Sequence, residues 1–332
     1  MSIAVLGGGS WGTALADMLA RKGERVRLWV RNPEAAREIS ETGMNARYLP
    51  GHTLSAALQV DSDPEAVLRG AECVLLAVPC QSMSACLRSL RDFFPPTPRV
   101  VCAGKGVELG TFRTMRQVVE EELAELSPRY SILSGPSFAV EVADCRPTAV
   151  VVGCADPDMA DFVQLLFSTQ YFRVYVNDDV LGVELGGAIK NIMAIASGVA
   201  DGLRFGENAR AALITRGLSE MSRLGVDLGA RAETFMGLSG LGDLILTCIG
   251  DQSRNRRVGL AIGQGKTLEE TLGGMHNVAE GVKTTQAVYE LSRKRGIELP
   301  ITEQVYAILF TGKSPIEAVR ELMGRPLRDE FT

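Results

Sequence analysis

Histidine is nearly absent: the 332 residues carry two, His52 in PGHTLS and His276 in GGMHNV. Both stand in turn-like loops without a partner His or Cys at ligand spacing. A metal centre is therefore not expected, and a histidine-based acid–base mechanism has few candidates. The seven cysteines are an odd number with no CxxC pair. Cys73, Cys80, Cys102, Cys154 and Cys248 lie in apolar or small-residue runs, as reduced core cysteines do. No apolar run reaches the roughly 18–20 residues that span a bilayer, so no membrane span is expected. The start, MSIAVLGGGSWG, has no basic segment or cleavage site of a secretory signal. A cytoplasmic location fits. The net charge of −5 lacks the broad basic face of a nucleic-acid binder. Lysine is also scarce, with seven in all. Lys22, Lys266, Lys283, Lys294 and Lys313 read as surface positions; Lys105 and Lys190 do not.

What remains is an ordinary globular composition, 46% hydrophobic and 23% charged. Its length suits two domains with separate cores. Over roughly the first 150 residues, β-rich runs alternate with helical patterns. The expected strands are Ile3–Leu6, Val26–Val30, Leu58–Val60, Cys73–Val78, Val100–Ala103, Ser131–Leu133 and Thr148–Val152. This alternation predicts a Rossmann-type, doubly wound, mostly parallel α/β sheet. Beyond about Asp178 helical patterns take over, which predicts an all-helical second domain. The expected division is residues 1–178 for dinucleotide binding and 179–332 for substrate binding.

The first strand runs into Gly7-Gly8-Gly9-Ser10-Trp11-Gly12, a G-x-G-x-x-G opening a helix. Glycines there permit a tight turn and close approach of the backbone to a pyrophosphate, and the helix N-terminus aims N–H groups at the anion. The strand–turn–helix context makes this a dinucleotide site. Where an acidic residue would hold the ribose of NAD, the second strand ends in Arg31, which suits the 2′-phosphate of NADP. The alternative is a surface arginine stacked on adenine, so NADP(H) is favoured and NAD(H) stays open. Ligands of such sheets sit beyond the carboxyl ends of the strands. Three such ends carry Pro79, Lys105 between two glycines, and the Ser134-Gly135-Pro136-Ser137 turn.

Lys190 is the only charge in Leu185–Ala200, LGGAIKNIMAIASGVA. As a helix, this segment puts Leu185, Ile189, Ile192, Ala196 and Val199 on a core stripe, with Lys190 roughly opposite among Val183, Gly187, Ala194 and Ser197. If that face is covered, the lysine titrates easily and is a candidate acid or base. If it is not, Lys190 is a solvated lysine. Further on, Gly250–Arg257 reads as a loop feeding a helix that Ser253 or Asn255 caps. Free N–H groups, Arg254 and Asn255 suit a phosphate dianion; the alternative is a basic helix start exposed to water. Asp243, before an apolar run, either tunes a lysine or caps a helix.

The whole chain resembles the bacterial NAD(P)-dependent sn-glycerol-3-phosphate dehydrogenases. The matching motifs are GGGSWGTALA, AVPCQ, AGKGVE, LSGPSFA, ELGGAIKN, GLSGLGDLILTC, SRNRRVG, VAEGVKT and LPITEQVYAIL, in the family's order. The resemblance implies Lys190 as the catalytic lysine. It implies Lys105, Gly135, Ser137, Asp243, Ser253, Arg254 and Asn255 as substrate contacts, with Asn191 and Thr247 as further substrate-site residues. Ser10, Trp11, Arg31, Lys105, Ala139, Arg254, Val278 and Glu280 match cofactor contacts, beside Gly7, Gly9, Gly12 and Pro79 from the motif reading. Glu280 carries no signal of its own; in VAEGV it reads as a helix-start acid.

The implied reaction reduces dihydroxyacetone phosphate with NAD(P)H to sn-glycerol 3-phosphate, a glycerophospholipid backbone. Lys190 is expected to serve as general acid/base, Lys105 as a neighbouring cation and Asp243 as an opposing charge. A homodimer is the default expectation. The competing readings are another Rossmann dehydrogenase, such as a ketoacid reductase using Lys and Asn, and a non-catalytic dinucleotide sensor. The sensor would need a DNA-reading module, and no basic recognition helix is present.

Overall fold

The structure is a computed structural model and describes residues 1–273, 279–327 and 329–330. His276 and Val278 lie outside the described residues. Eight strands form one sheet: β1 (Ser2–Leu6), β2 (Arg25–Trp29), β3 (Gln59–Asp61), β4 (Cys73–Leu76), β5 (Arg99–Cys102), β6 (Arg129–Ser134), β7 (Thr148–Gly153) and β8 (Phe172–Asn177). Their order is β3-β2-β1-β4-β5-β6-β7-β8. Neighbours pair in parallel except β6 with β7, which are antiparallel. The sequence reading placed the first seven within a residue or two and missed β8. The signal was there, in alternating Phe172, Val174 and Val176, but outward Arg173 and Tyr175 diluted it.

Helices α1 (Ser10–Arg21), α2 (Pro33–Thr42), α3 (Pro64–Leu68), α4 (Cys80–Leu90), α5 (Met115–Glu122), α6 (Ala139–Ala143) and α7 (Pro157–Phe167) accompany the strands. They cover both faces of the sheet, which is why β1 is buried at every position. Ile3 and Val5 enter one core cluster while Ala4 and Leu6 enter the other. Local chemistry sets the helix starts. Asn32 caps α2 by accepting from Ala35 N–H, and Asp156 caps α7 ahead of Pro157. Thr114 and Gln117 form a reciprocal capping box at α5.

After β8 the chain is helical: α8 (Val180–Gly202), α9 (Gly206–Asp227), α10 (Ala232–Phe235), α11 (Asp243–Ile249), α12 (Arg254–Gly263), α13 (Leu268–Gly273), α14 (Glu280–Arg295), α15 (Pro300–Phe310) and α16 (Pro315–Met323). A third core cluster forms around α8. Asp179 ties the joint together. It caps α8 through Gly182 N–H at 2.9 Å and also accepts from Arg231 N–H at 2.9 Å and Thr234 Oγ1 at 2.7 Å.

One open alternative is decided here and one expectation is altered. First, the Lys190 face of α8 is covered: the helix is buried on every side from Gly182 to Ala200. Its first turns pack on the sheet through Val180 and Val183, and the rest is wrapped by other helices. Lys190 therefore has no solvated face. Second, among the described residues two stretches are long and apolar enough to cross a membrane, Val180–Gly202 and Ala232–Ile249, where the sequence reading found no apolar run of that length. The first is 94% buried within the protein, as a core helix is. The second breaks into α10, a π turn at Leu238–Gly242, and α11.

Glycine sets how closely α8 and α12 approach. A Cβ on Gly198 would lie 2.0 Å from Arg256 O, and one on Gly259 would lie 1.9 Å from Ile195 O. Gly202 meets Gly263 in the same way, so the two helices run in the same sense. The N-terminus of α12 is thereby brought level with the middle of α8, where Lys190 and Asn191 stand.

Candidate active site

The first strand turns at Gly7, whose φ of +121° and contact with Ala77 O (2.6 Å from a built Cβ) exclude a side chain. Gly12 lets α1 close on the turn, since its Cβ would lie 2.0 Å from Gly7 O. Gly9 differs: a Cβ there meets no protein atom within 4 Å. Gly9 is also the N-cap of α1, and no side chain caps that end. The turn therefore leaves open space against uncapped N–H groups, the cradle a pyrophosphate requires. Trp11 beside it has a buried indole N–H without a partner among the described residues. Ser10 Oγ donates to Tyr48 O at 2.5 Å. Arg31 is exposed just past the end of β2. These residues fit a dinucleotide.

Beyond the carboxyl ends of β4, β5 and β6 the predicted loops converge. Pro79 is the N-cap of α4. Cys80 N–H, one residue on, donates to Glu280 Oε1 at 3.0 Å. Glu280, the first residue of α14, is thus tied to the β4–α4 turn 200 positions away. Burial raises its carboxyl pKa, against the opposing pull of the Cys80 N–H and of Arg254, Lys105 and Lys190. Ser137 Oγ donates to Gly135 O at 3.1 Å, and Ala139 begins α6 just after that turn.

The centre is a lysine–aspartate–lysine bridge. Lys190 Nζ donates to Asp243 Oδ1 at 2.6 Å and to Thr247 Oγ1 at 2.7 Å. Lys105 Nζ donates to Asp243 Oδ2 at 2.7 Å and to Gly135 O at 3.3 Å. Asp243 is the first residue of α11, directly after the π turn, and Thr247 one turn on donates a hydrogen bond to Asp243 O at 2.6 Å. Of the two alternatives left open by the sequence, lysine partner and helix cap, the first holds: Gly242 is the N-cap of α11, and no side chain caps that end.

Electrostatics follow from burial. Lys190 is 6% exposed. Desolvation lowers its pKa to about 8, aided by Lys105 and opposed by Asp243. Burial pushes Asp243 the other way, yet the two ammonium groups hold its carboxyl below the usual carboxylate value. A lysine near 8 beside a fixed carboxylate and a second cation can give or take a proton near neutral pH.

The candidate phosphate site lies at the start of α12. Ser253 caps this helix, accepting from Arg256 N–H at 3.2 Å. Asn255 Oδ1 accepts from Gly281 N–H at 3.0 Å. A Cβ on Gly281 would lie 2.9 Å from Asn191 O, so Asn255, Asn191 and the start of α14 meet at one point. Arg254 is exposed and has no hydrogen-bond or ion-pair partner among the described residues. Arg256, its neighbour in the basic cluster, is consumed structurally by Asp201 at 2.8 Å and Asp251 at 2.8 Å. The structure thus brings together Lys105, Gly135, Lys190, Asn191, Asp243, Thr247 and Asn255. Val278 alone among the expected site residues lies outside the described residues.

A Rossmann-type sheet, a glycine turn with room for a pyrophosphate and a buried lysine of lowered pKa are the features of a nicotinamide-dinucleotide-dependent oxidoreductase with a helical second part. Comparison with known proteins makes this specific. Residues 2–160 match the N-terminal family model of NAD-dependent glycerol-3-phosphate dehydrogenase, and residues 179–320 match the C-terminal one. A glycerol-3-phosphate dehydrogenase (NAD(P)+) of Maridesulfovibrio salexigens is 57% identical over 330 residues, 99% of this chain and 100% of that protein. The crystal structure of glycerol-3-phosphate dehydrogenase from Coxiella burnetii superposes with a TM-score of 0.94 at 44% identity, covering 98% of this chain and 99% of that one. The yeast enzyme from Saccharomyces cerevisiae gives 0.82 at 27% identity over 98% of this chain and 99% of that one. The chain belongs to the NAD-dependent glycerol-3-phosphate dehydrogenase family and is an oxidoreductase that uses NAD(P).

Proposed function

We propose that the chain interconverts dihydroxyacetone phosphate and sn-glycerol 3-phosphate with Lys190 as general acid/base. The observation that carries this reading is the bridged Lys190–Asp243–Lys105 cluster, set between the dinucleotide turn and the phosphate-ready start of α12. Gly7, Gly9, Ser10, Trp11, Gly12, Arg31, Pro79, Ala139, Val278 and Glu280 would hold the dinucleotide, with Lys105 and Arg254 shared between cofactor and substrate. When bound, the nicotinamide supplies or accepts the hydride at C2. Ser253, Arg254 and Asn255 hold the phosphate, with Gly135, Ser137, Asn191 and Thr247 around the carbon chain. Lys190 donates its proton to the C2 oxygen during reduction and, when neutral, takes it back during oxidation. Lys105 stabilises negative charge on that oxygen. Arg31 favours NADPH over NADH. Seven free cysteines suit a reducing cytoplasm. There the product would supply glycerophospholipid synthesis, and a homodimer is the assembly we propose. We take residues 1–178 as the dinucleotide-binding domain and 179–332 as the substrate domain.

Initial rates of NADPH and NADH oxidation with dihydroxyacetone phosphate test the reading; no turnover with either would reject it. Arg254→Ala removes charge-assisted hydrogen bonds worth about 1.5–3 kcal/mol. KM for dihydroxyacetone phosphate should rise about 10- to 100-fold. An unchanged KM would move the phosphate elsewhere.

A lysine at about 8 also fixes the pH dependence. Reduction needs the protonated form, so its kcat/KM should be flat below about 8 and fall about tenfold per pH unit above it. Oxidation needs the neutral form and should rise through the same pH to a plateau. Profiles without a limb near 8, or with both directions bending the same way, would remove Lys190 from the proton transfer.

A further inference from the structure

A buried carboxylate near the lysine pair has no part in this chemistry. Glu184 precedes Lys190 on α8 by six positions, about 9 Å along the axis, and is 5% exposed. Its Oε1 accepts from Arg116 N–H at 2.7 Å, in the first turn of α5, and from Tyr130 Oη at 2.7 Å, on β6. Its Oε2 has no hydrogen-bond partner among the described residues. Burial raises its pKa to about 6, opposed by those donors and by Thr114.

Halfway between Glu184 and Lys190 on the same helix is Gly187. A Cβ there would lie 2.7 Å from Ser134 Oγ and 3.4 Å from Lys105 Cδ. Ser134 Oγ is also buried without a partner. Glu184, Ser134 and Lys105 line one narrow cavity with Met115, Ile132 and Val183. Glu184 and Lys190 stand about 120° apart round α8, and the Ser134 turn with the stem of Lys105 meets the helix between them at Gly187.

Fold stability does not account for a carboxylate at this position. Its neighbours Val180, Val183, Met115 and Ile132 belong to an apolar cluster. A charged group with an unmet oxygen there opposes folding relative to an apolar side chain. What the carboxylate adds is direction. Apolar contact lets a helix slide and turn, whereas two hydrogen bonds to two different elements fix its height and rotation.

We infer that Glu184 is a positioning residue, which by locking α8 to β6 and α5 sets where Lys190 stands relative to the Ser134–Ser137 turn and the nicotinamide. This rests on the proposed role of Lys190 and the proposed placement of the cofactor. Misplacement by about 1 Å costs on the order of 10²-fold in rate. The chemistry, rather than binding, should register it.

The test compares Glu184→Asp, Glu184→Ala and Glu184→Gln with the unsubstituted protein in kcat, melting temperature, NADPH affinity by fluorescence, and the primary isotope effect of 4-deuterated NADPH. Asp keeps the charge but falls one methylene short; Gln keeps an oxygen for both donors. Asp and Ala should lower kcat roughly 10- to 100-fold, with NADPH affinity held within about twofold and a larger isotope effect as hydride transfer becomes the slow step. Gln should recover kcat to within about threefold. If Asp or Ala lowers the melting temperature but keeps the original kcat and isotope effect, Glu184 only anchors the fold and the inference is wrong. It is equally wrong if Gln is as impaired as Asp. Should Ala fail to fold, Asp and Gln decide. Failure of the unsubstituted protein to reduce dihydroxyacetone phosphate would instead overturn the reading of the site.

Discussion

Lys190→Ala should lower kcat by at least 10²- to 10⁴-fold, the usual contribution of a positioned general acid or base. NADPH should still bind, because the dinucleotide turn lies on β1 and α1 and Lys190 lies on α8. The fold should survive as well. Removing a buried ammonium from a largely apolar helix lifts a desolvation cost, and Asp243 keeps Lys105 as its partner at 2.7 Å. Melting temperature should therefore hold or rise while activity collapses, the trade expected where a site is strained for function. Lys190→Arg separates charge from proton transfer. Arginine keeps the positive charge but does not release a proton below about pH 12. It should be nearly as inactive as alanine, whereas a purely electrostatic Lys190 would be largely replaced by it. The readouts are kcat, NADPH affinity and a thermal melt on each variant.

Asp243→Asn should have the second largest effect, acting on stability and on the pH profile together. The carboxylate serves two ammonium groups with one oxygen each. In asparagine one of those atoms becomes an N–H₂ group that faces a cation with a donor. Breaking a buried ion pair on one side costs about 3–5 kcal/mol, which in a protein of this size is on the order of 10 °C in melting temperature. Part of that cost is relieved if Lys190 sheds its proton. The sign is fixed by the charges: Asp243 raises the pKa of Lys190 and Lys105 lowers it. Without Asp243 the limb of the reduction profile should move below 8, and kcat/KM at neutral pH should fall with it. A variant with the original limb and melting temperature would show that Asp243 neither stabilises nor tunes the pair.

How much of this was legible in the sequence depended on the range of the signal. Where cause and effect lie within one turn, the reading held. The Gly7–Gly12 turn, the Ser253 cap and the placement of the first seven strands follow from side chains that act on their own backbone neighbours. The lysine pair was legible for a different reason. Scarcity made Lys105 and Lys190 conspicuous, and each sat in a segment too small or apolar to solvate it. Whether the Lys190 face of α8 is covered was left open because periodicity reports one buried face, whereas this helix is covered by the sheet at its start and by other helices along its length. Glu280 and Glu184 were invisible for a related reason. Their partners, Cys80 N–H, Arg116 N–H and Tyr130 Oη, come from segments far along the chain, and no local pattern encodes them. Asp243 fell between: its helix-start position was readable, its two lysines were not.

The central claim is that burial between Asp243 and Lys105 tunes Lys190 into an acid near neutral pH. With seven lysines in the chain, an NMR titration of protein labelled at lysine Cε resolves the question site by site. One signal should titrate near 8, be missing from Lys190→Ala, and match the kinetic limb. If all lysine signals titrate above about 10, close to the unperturbed value, Lys190 is an ordinary ammonium and the account is contradicted.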